Sequence, residues 1–304
     1  MLEPLKGKTI LVYSEGGVGD ELYFLAPFND LVAIAENCIL TCDPRHEKLF
    51  KRSFPTVDIR PFSRQYQRSF LGVPAKDNYD DLFRTLPNID YYCFIGDLGY
   101  YFRNSWEDFK KQGVYLVNDR DKVAYWKNRL DDMGDTIKIG LCWRSGFQAL
   151  YREREYTALK DWLPLLKREG YTFINLMFDG LQEIHKLEPE PEDSNISIQH
   201  LTDLDLKNDF DNLAALIEAL DLVISVDTNI AELAGGLGQK TWRVINSPYL
   251  ANHCRLWPGT ANDIWHPSMI QITSDPIGDT DSLIAQISTK LDSLEWKQKN
   301  SSGC

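Results

Sequence analysis

The sequence predicts an α/β protein built from two Rossmann-like domains whose parallel sheets face a central cleft. Short apolar runs typical of buried strands alternate with helix-like stretches along the chain. A highly charged stretch at residues 117–136 separates two such series, and we expect it to connect the domains. At 304 residues the chain is long enough for both. We therefore expect a first domain at 1–125 and a second at 126–304.

In the first half, strands are predicted at "KTILVYS", "NCILTCD" and "YYCFIGDLG", each ending in turn residues. An amphipathic helix is expected from about Glu21 to Ala35, and another within "RHEKLFKRSF". Strands that alternate with helices in this way favour a largely parallel sheet.

The second half repeats the pattern with a stronger signal. Strands are predicted at "IKIGLCWRS", "YTFINLMF", "LVISVD" and "KTWRVIN". Helices are predicted at "TALKDWLPLLKREG", with Thr157 as N-cap and Gly170 as stop, and at "DFDNLAALIEALD" and "TNIAELAGGLG". The C-terminal "TDSLIAQISTKLDSLEW" is amphipathic, and we expect one helix that packs back on the first domain.

Charge and composition exclude several classes of protein. The formal net charge of −12 repels phosphate backbones and anionic membranes, so no nucleic-acid partner is expected. No apolar run reaches the length of a transmembrane segment. The six cysteines show no zinc-ligand spacing, so we expect reduced thiols, no metal site and a cytoplasmic protein.

The stretch "EGGVGDELYFLAP" follows the first predicted strand and allows three interpretations. A dinucleotide-binding loop requires G-x-G-x-x-G, but Leu22 stands at the third glycine position. A tight turn with Asp20 as the helix cap is favoured by the local pattern alone. The third interpretation is a ligand-binding loop, since glycines allow close approach to the backbone at the carboxyl end of a strand.

The segment "ALDLVISVDTNIAELAGGLGQKTW" combines a wholly apolar strand with a helix of small residues. The helix begins at Asp227-Thr228-Asn229, where free amides and the positive end of the dipole could hold a phosphate. In isolation, the segment is more typical of an ordinary strand–helix unit capped by Asp227 or Thr228.

Together these segments resemble the GT-B glycosyltransferases, especially the bacterial heptosyltransferase family and glycosyltransferase domains associated with tetratricopeptide repeats. The similarity includes "IGLCWRSG" with "REREYTALKDWLPLL", "FINLMFDG", "DFDNLAALIEALDLVISVDT" and "WHPSM" in the second half. In the first half it includes "GGVGDELYFLAP". It extends over about 137–272 and is thin over 30–130.

This resemblance implies metal-independent, inverting transfer of a hexosyl or heptosyl group from a nucleotide-diphosphate sugar, which is a substrate, so no cofactor is expected. A glycan or lipid-linked glycan would be the acceptor. Asp20 matches the family's catalytic base. The donor-binding residues implied are Gly17, Val18, Gly19, Ser145, Gly146, Arg152, Arg154, Met177, Phe178, Asp227, Thr228, Asn229 and Glu232.

Three positions depart from the family pattern. Relatives usually have His at Glu232, Gln at Met177 and a smaller residue at Asn229. A carboxylate one helical turn from a diphosphate is unfavourable unless a cation pairs with it. The alternatives are therefore a catalytically silent GT-B module that binds a nucleotide or glycan, and a nucleotide-sugar epimerase on the same fold.

Overall fold

The computed structural model describes residues 5–62, 85–146, 156–187, 196–246 and 255–295. Two parallel sheets organise this part of the chain, as the sequence predicts. The first sheet belongs to the first half and the second to the second half.

The first sheet has four strands in the order β3-β2-β1-β4. They are β1 (Leu5–Tyr13), β2 (Ala35–Cys42), β3 (Asp58–Pro61) and β4 (Tyr91–Phe94). In the register, Ile10 lies opposite Cys38 on one side and Tyr91 on the other, with every pair parallel. The carboxyl ends of β1 and β2 are continuously buried, which is typical of a sheet covered on both faces.

The helices of the first half are short. They are α1 (Val18–Phe24), α2 (Phe28–Val32), α3 (Glu47–Ser53), α4 (Asp97–Phe102) and α5 (Trp106–Phe109), with a 3₁₀ turn at Pro44–His46. The single helix expected over 21–35 is wrong, because α1 ends before Pro27 and α2 starts directly after it. Proline has no amide proton to continue a helix, so the chain turns there.

The second sheet has six strands in the order β10-β9-β8-β5-β6-β7, again parallel throughout. They are β5 (Ile137–Cys142), β6 (Tyr171–Asn175), β7 (Ile198–Gln199), β8 (Leu222–Val226), β9 (Thr241–Ile245) and β10 (Met269–Thr273). Every residue of β8 and β9 is buried, so these strands form the centre of the second core.

The helices of the second half follow their strands closely. They are α6 (Arg120–Asp131), α7 (Leu163–Leu166), α8 (Leu181–Lys186), α9 (Phe210–Ala219), α10 (Asn229–Gly236) and α11 (Thr280–Asp292), with a 3₁₀ turn at Leu159–Trp162. No helix in the described ranges combines the length and apolar character needed to cross a bilayer.

Thr157 does not cap a helix, contrary to the expectation. Its hydroxyl donates to the Trp143 carbonyl at 3.0 Å and accepts from the Trp162 indole at 2.8 Å. Ala158 takes the cap position of the 3₁₀ turn, and Pro164 occupies the first turn of α7, where a missing amide proton is tolerated. The hydroxyl therefore joins the end of β5 to this turn.

Helix α6 runs through the expected domain boundary at 125/126 and packs on α9. The boundary itself stays a prediction.

Helix α11 packs on β10, the 3₁₀ turn and α7. These contacts lie on the second sheet, whereas we expected this helix to return to the first domain. The helix packs there because it buries one apolar stripe against the second sheet. The stripe consists of Leu283, Ile284, Ile287 and Leu291.

Ion pairs connect the two halves of the chain. Asp211 at the start of α9 is buried and accepts from Arg52 of α3 at 2.6 Å and from Lys122 of α6 at 2.5 Å. Burial opposes ionisation of Asp211, but these two cations outweigh it and hold the pKa of the carboxyl below its usual range. The interface therefore contains a buried charge that depends on both halves.

Replacing Arg52 with alanine is expected to lower the free energy of unfolding by about 2 kcal/mol, because the buried Asp211 loses one of its cations. Chemical denaturation measures the change. Arg60→Ala is the control, since Arg60 pairs with Asp58 on an exposed surface. That variant is expected to change stability by about 0.5 kcal/mol or less, and equal losses in both variants would contradict the role of burial.

Candidate functional site

The glycine loop after β1 and the start of α10 after β8 lie in direct contact. A Cβ on Gly19 would lie 3.3 Å from both the backbone nitrogen and the Cα of Asn229. A side chain at this position would therefore push the two backbones slightly apart, and glycine favours their close approach. The contact brings together the two segments that the sequence singles out, at the carboxyl ends of strands from different sheets.

Gly16 sets the shape of the loop. Its φ of +72° lies in the left-handed region, and a Cβ there would lie only 2.5 Å from the Asp20 Cβ. The neighbouring Gly17 has an ordinary extended backbone with φ of −84° and serves as the N-cap of α1. The loop therefore needs glycine at 16 to turn back over Asp20.

Asp20 is the third residue of α1, not its N-cap. Its carboxylate accepts the backbone amide of Gly17 at 2.5 Å, which is the reciprocal half of a capping box. The side chain is exposed to solvent. Asp20 thus stabilises the start of the helix while remaining accessible at the loop.

The start of α10 keeps its first amides free of a side-chain cap. Thr228 is the N-cap with an extended backbone, but its hydroxyl does not bond to the helix. The hydroxyl lies 3.1 Å from Ser225 Oγ and 3.7 Å from Cys142 Sγ instead. The amides and the positive end of the helix dipole are therefore available to an anion.

Glu232, on the first turn of α10, is buried and forms a bidentate ion pair. Both its oxygens accept from Arg255 Nη2, at 2.9 and 3.0 Å. Burial raises the pKa of Glu232 to about 7, against the opposing pull of Arg255. The cation that a carboxylate at this position requires is thus Arg255. Sequence reasoning missed it because nothing local marks a partner from a loop 23 residues away.

A second arginine completes this buried cluster. Arg243 Nη1 lies 2.9 Å from Asp263 Oδ2, and Arg255 Nη1 lies 3.4 Å from Asp227 Oδ1. Burial disfavours the charge of Asp263, yet the two guanidiniums outweigh it and hold the pKa of this carboxyl below its usual range. The charges at the start of α10 are therefore coupled through two arginines.

His266 and Tyr115 lie next to this cluster. Tyr115 donates its hydroxyl to the Leu22 carbonyl at 2.7 Å, and His266 Nε2 lies 3.1 Å from the same hydroxyl. Burial lowers the pKa of His266 to about 3, so the ring is neutral. Gly235 and Gly236 make room for this packing, since a Cβ on them would lie 2.4 Å from His266 and 2.7 Å from Leu116.

The loop after β6 lies near the start of α10, because both contact the Cys142 side chain. Phe178 has 42% of its surface exposed, whereas Met177 is buried with its sulfur 3.9 Å from that of Cys142. A Cβ on Gly146 would lie 2.2 Å from the Phe178 ring, so the backbone at Gly146 packs directly on it. Lys207 Nζ lies 5.4 Å from the centroid of the Phe178 ring. Phe178, unlike Met177, offers an aromatic face.

The two cations expected across the loop, Arg152 and Arg154, both lie outside the described residues. Arg144 lies in the described part of this loop, next to Ser145, and is paired with Glu183 at 2.5 Å and with Asp179 at 3.1 Å. Within the described ranges, no group of three or more metal-ligating side chains could hold a metal ion.

Several solved structures have a similar fold. The E. coli ADP-heptose lipopolysaccharide heptosyltransferase II has a TM-score of 0.60 at 14% identity, covering 93% of this chain and 98% of that one. A glycosyl transferase family 9 protein from Veillonella parvula has a TM-score of 0.58 at 11% identity, covering 94% and 96%. E. coli heptosyltransferase WaaC, solved with ADP-2-deoxy-2-fluoro heptose, has 0.54 at 12%, covering 93% and 99%. The chain has the GT-B fold of the heptosyltransferases.

This GT-B chain also has a sequence relative. It is 30% identical over 294 residues to protein FlbA of Caulobacter vibrioides, covering 95% of this chain and 47% of FlbA. The chain therefore spans about half the length of that relative. No family model matches it.

Replacing Gly16 with alanine is expected to destabilise the protein by about 1 to 3 kcal/mol, because a positive φ and contact with Asp20 both oppose a side chain. Thermal unfolding measures the loss. Gly17→Ala is the matched control, since its Cβ would meet Asp20 Oδ2 at an ordinary 3.4 Å. If the Gly17 variant loses as much stability, the left-handed turn is not the cause.

Proposed function

We propose that this chain is a glycosyltransferase that moves a hexosyl or heptosyl group from a nucleotide-diphosphate sugar to a hydroxyl acceptor. The transfer would invert the anomeric centre and need no metal. The observation that carries the proposal is the contact between Gly19 and Asn229. It brings an exposed carboxylate, Asp20, to the same place as the uncapped start of α10.

Asp20 would act as the general base. An exposed carboxylate in the cleft can accept the acceptor's hydroxyl proton as that oxygen attacks the anomeric carbon. The new C–O bond forms on the face opposite the breaking bond to the diphosphate, so a single displacement inverts the centre.

The start of α10 would stabilise the leaving diphosphate. Amides at Thr228 and Asn229, together with the helix dipole, favour negative charge that develops there. Arg152 and Arg154 would add cations from across the loop, as the family resemblance implies. Phosphate neutralisation by amides and arginines is the part that a metal performs in other transferases.

The nucleoside would lie against Phe178, with Gly17, Val18, Gly19, Ser145 and Gly146 lining the path to the sugar. The exposed ring supports stacking with a base. WaaC was solved with an ADP-linked sugar, so ADP donors are tested first.

A glycan or lipid-linked glycan is the proposed acceptor. The cytoplasm is the proposed location, where free thiols such as Cys38 and Cys142 persist.

A thermal-shift screen with ADP, GDP, UDP and CMP, and with their sugars, tests donor binding. A nucleotide that binds only the folded protein raises its melting temperature, and we expect one nucleotide class to do so. If none of these ligands changes the melting temperature, the transferase proposal is wrong.

A silent GT-B module remains the second candidate, and one observation favours it. The 2.5 Å bond from the Gly17 amide already gives the Asp20 carboxylate a structural task. In that case the loop would bind a nucleotide or glycan without catalysing transfer.

Replacing Asp20 with asparagine separates these two functions. If Asp20 is the base, transfer measured by donor turnover is expected to fall at least about a hundredfold, with nucleotide affinity nearly unchanged. Asp108→Asn is the matched control, because Asp108 bonds the Ser105 amide at 3.0 Å in an equivalent cap of α5. Loss of nucleotide binding together with transfer in the Asp20 variant would instead mark a structural cap.

A further inference from the structure

Arg255 joins the two carboxylates that flank the start of α10. It donates to both oxygens of Glu232, at 2.9 and 3.0 Å, and its Nη1 lies 3.4 Å from Asp227 Oδ1. Glu232 is on the first turn of the helix, and Asp227 precedes its N-cap. The Arg255 guanidinium thus pairs with the two carboxylates that lie nearest the free amides of α10.

The position of Arg255 is fixed from other sides as well. The guanidinium lies over the Tyr23 ring, 4.3 Å from its centroid, and Nε lies 3.6 Å from Asp263 Oδ2. Tyr23 is on α1, one turn after Asp20, so this contact reaches the glycine loop's own helix. Arg255 therefore contacts both helices that begin at the site.

Without Arg255, the negative charge of the buried cluster would repel an anion at the start of α10. Three carboxylates, Asp227, Glu232 and Asp263, face two guanidiniums, Arg243 and Arg255, so one negative charge is in excess. His266 stays neutral because burial keeps its pKa near 3. Removing Arg255 would double this excess next to the amides that would hold a diphosphate.

We infer that Arg255 is a positioning residue for the donor diphosphate, acting through Glu232 and Asp227. By pairing with these carboxylates it removes their repulsion and lets the start of α10 accept phosphate oxygens. This inference rests on the proposed function, since it names a further residue of the same donor site. It explains how a helix that carries glutamate on its first turn can bind an anion.

A purely structural role gives a weaker account of the pair. Burying a charged pair costs desolvation that its attraction repays only in part, so such pairs often add little net stability. The apolar residues that fill a core would serve as well there. Neutralisation of a carboxylate beside an anion site requires a cation.

The test measures how the affinity for ADP, GDP and UDP changes when the charges of the pair are removed singly and together. Four proteins are compared by isothermal titration calorimetry: wild type, Arg255→Ala, Glu232→Gln and the double variant. The measurement is made at about pH 8, where Glu232, with its pKa raised to about 7, is mostly ionised.

The charge of the cluster predicts a specific order of affinities. Arg255→Ala should weaken binding of the preferred nucleotide about tenfold or more, and Glu232→Gln should tighten it severalfold, since Arg255 is then less neutralised. The double variant restores the wild-type excess of one negative charge and should bind about as tightly as wild type. A structural role predicts that both single variants bind no better than wild type and the double variant worst, which would overturn the inference.

Two controls separate charge from folding. Arg52→Ala combined with Asp211→Asn removes a buried inter-half pair away from α10, and it should lower the melting temperature without changing nucleotide affinity. If Arg255→Ala does not fold, the tighter binding of Glu232→Gln decides the question by itself, and equal or weaker binding refutes the inference. Wild type that binds none of the three nucleotides overturns the proposed function and the inference together, whereas tight wild-type binding with no order among the variants overturns the inference alone.

Discussion

The close approach of Gly19 to Asn229 is the constraint on which the rest of the site depends. Two helices from different sheets, α1 and α10, begin at this contact, so the positive ends of both dipoles converge there. The convergence is unfavourable unless negative charge lies close by. Asp20 provides it at the start of α1, and Asp227 with Glu232 provides it at the start of α10. The acidic residues around the site are therefore a consequence of the geometry that makes it attractive to an anion.

The arginines balance these carboxylates. Arg243 lies on β9, and Arg255 lies in the segment before "WHPSM". Arg243 Nη1 lies 2.9 Å and Arg255 Nε lies 3.6 Å from Asp263 Oδ2. Asp263 also accepts the backbone amides of Trp265 and His266, at 2.8 and 2.9 Å, so the same carboxylate shapes the turn and holds the cations. The polar cluster is thus continuous from a backbone turn to the first residues of a helix. Two largely buried guanidiniums thus balance two of the three carboxylates, and Asp227 keeps a quarter of its side chain exposed.

Much of the fold was predictable from the sequence, because apolar runs of strand length alternate with helical stretches. The strands beginning at Leu5, Ile137 and Leu222 are confirmed, as are two parallel sheets. The helix expected across Pro27 and the cap expected at Thr157 were wrong, since one proline and one long-range hydroxyl bond overrode local preference. The glycine loop and the start of α10 could be singled out because their patterns are local. Arg255 could not, because its pairing depends on where a distant loop lies. The roles of Asp20 and the donor-binding residues stay predictions.

The contacts between the two halves differ in kind along the interface. At Arg52 and Asp211 the halves are held by a buried ion pair, and Asn118 adds a hydrogen bond to the Ala214 carbonyl at 2.9 Å. At Gly19 and Asn229 the two backbones are in van der Waals contact. Close by, Arg255 lies over the Tyr23 ring, and the Tyr115 hydroxyl lies 3.1 Å from His266 Nε2. The halves are therefore joined by buried polar contacts beside the candidate site as well as at Arg52 and Asp211. A rotation of one half against the other would disturb contacts of both kinds.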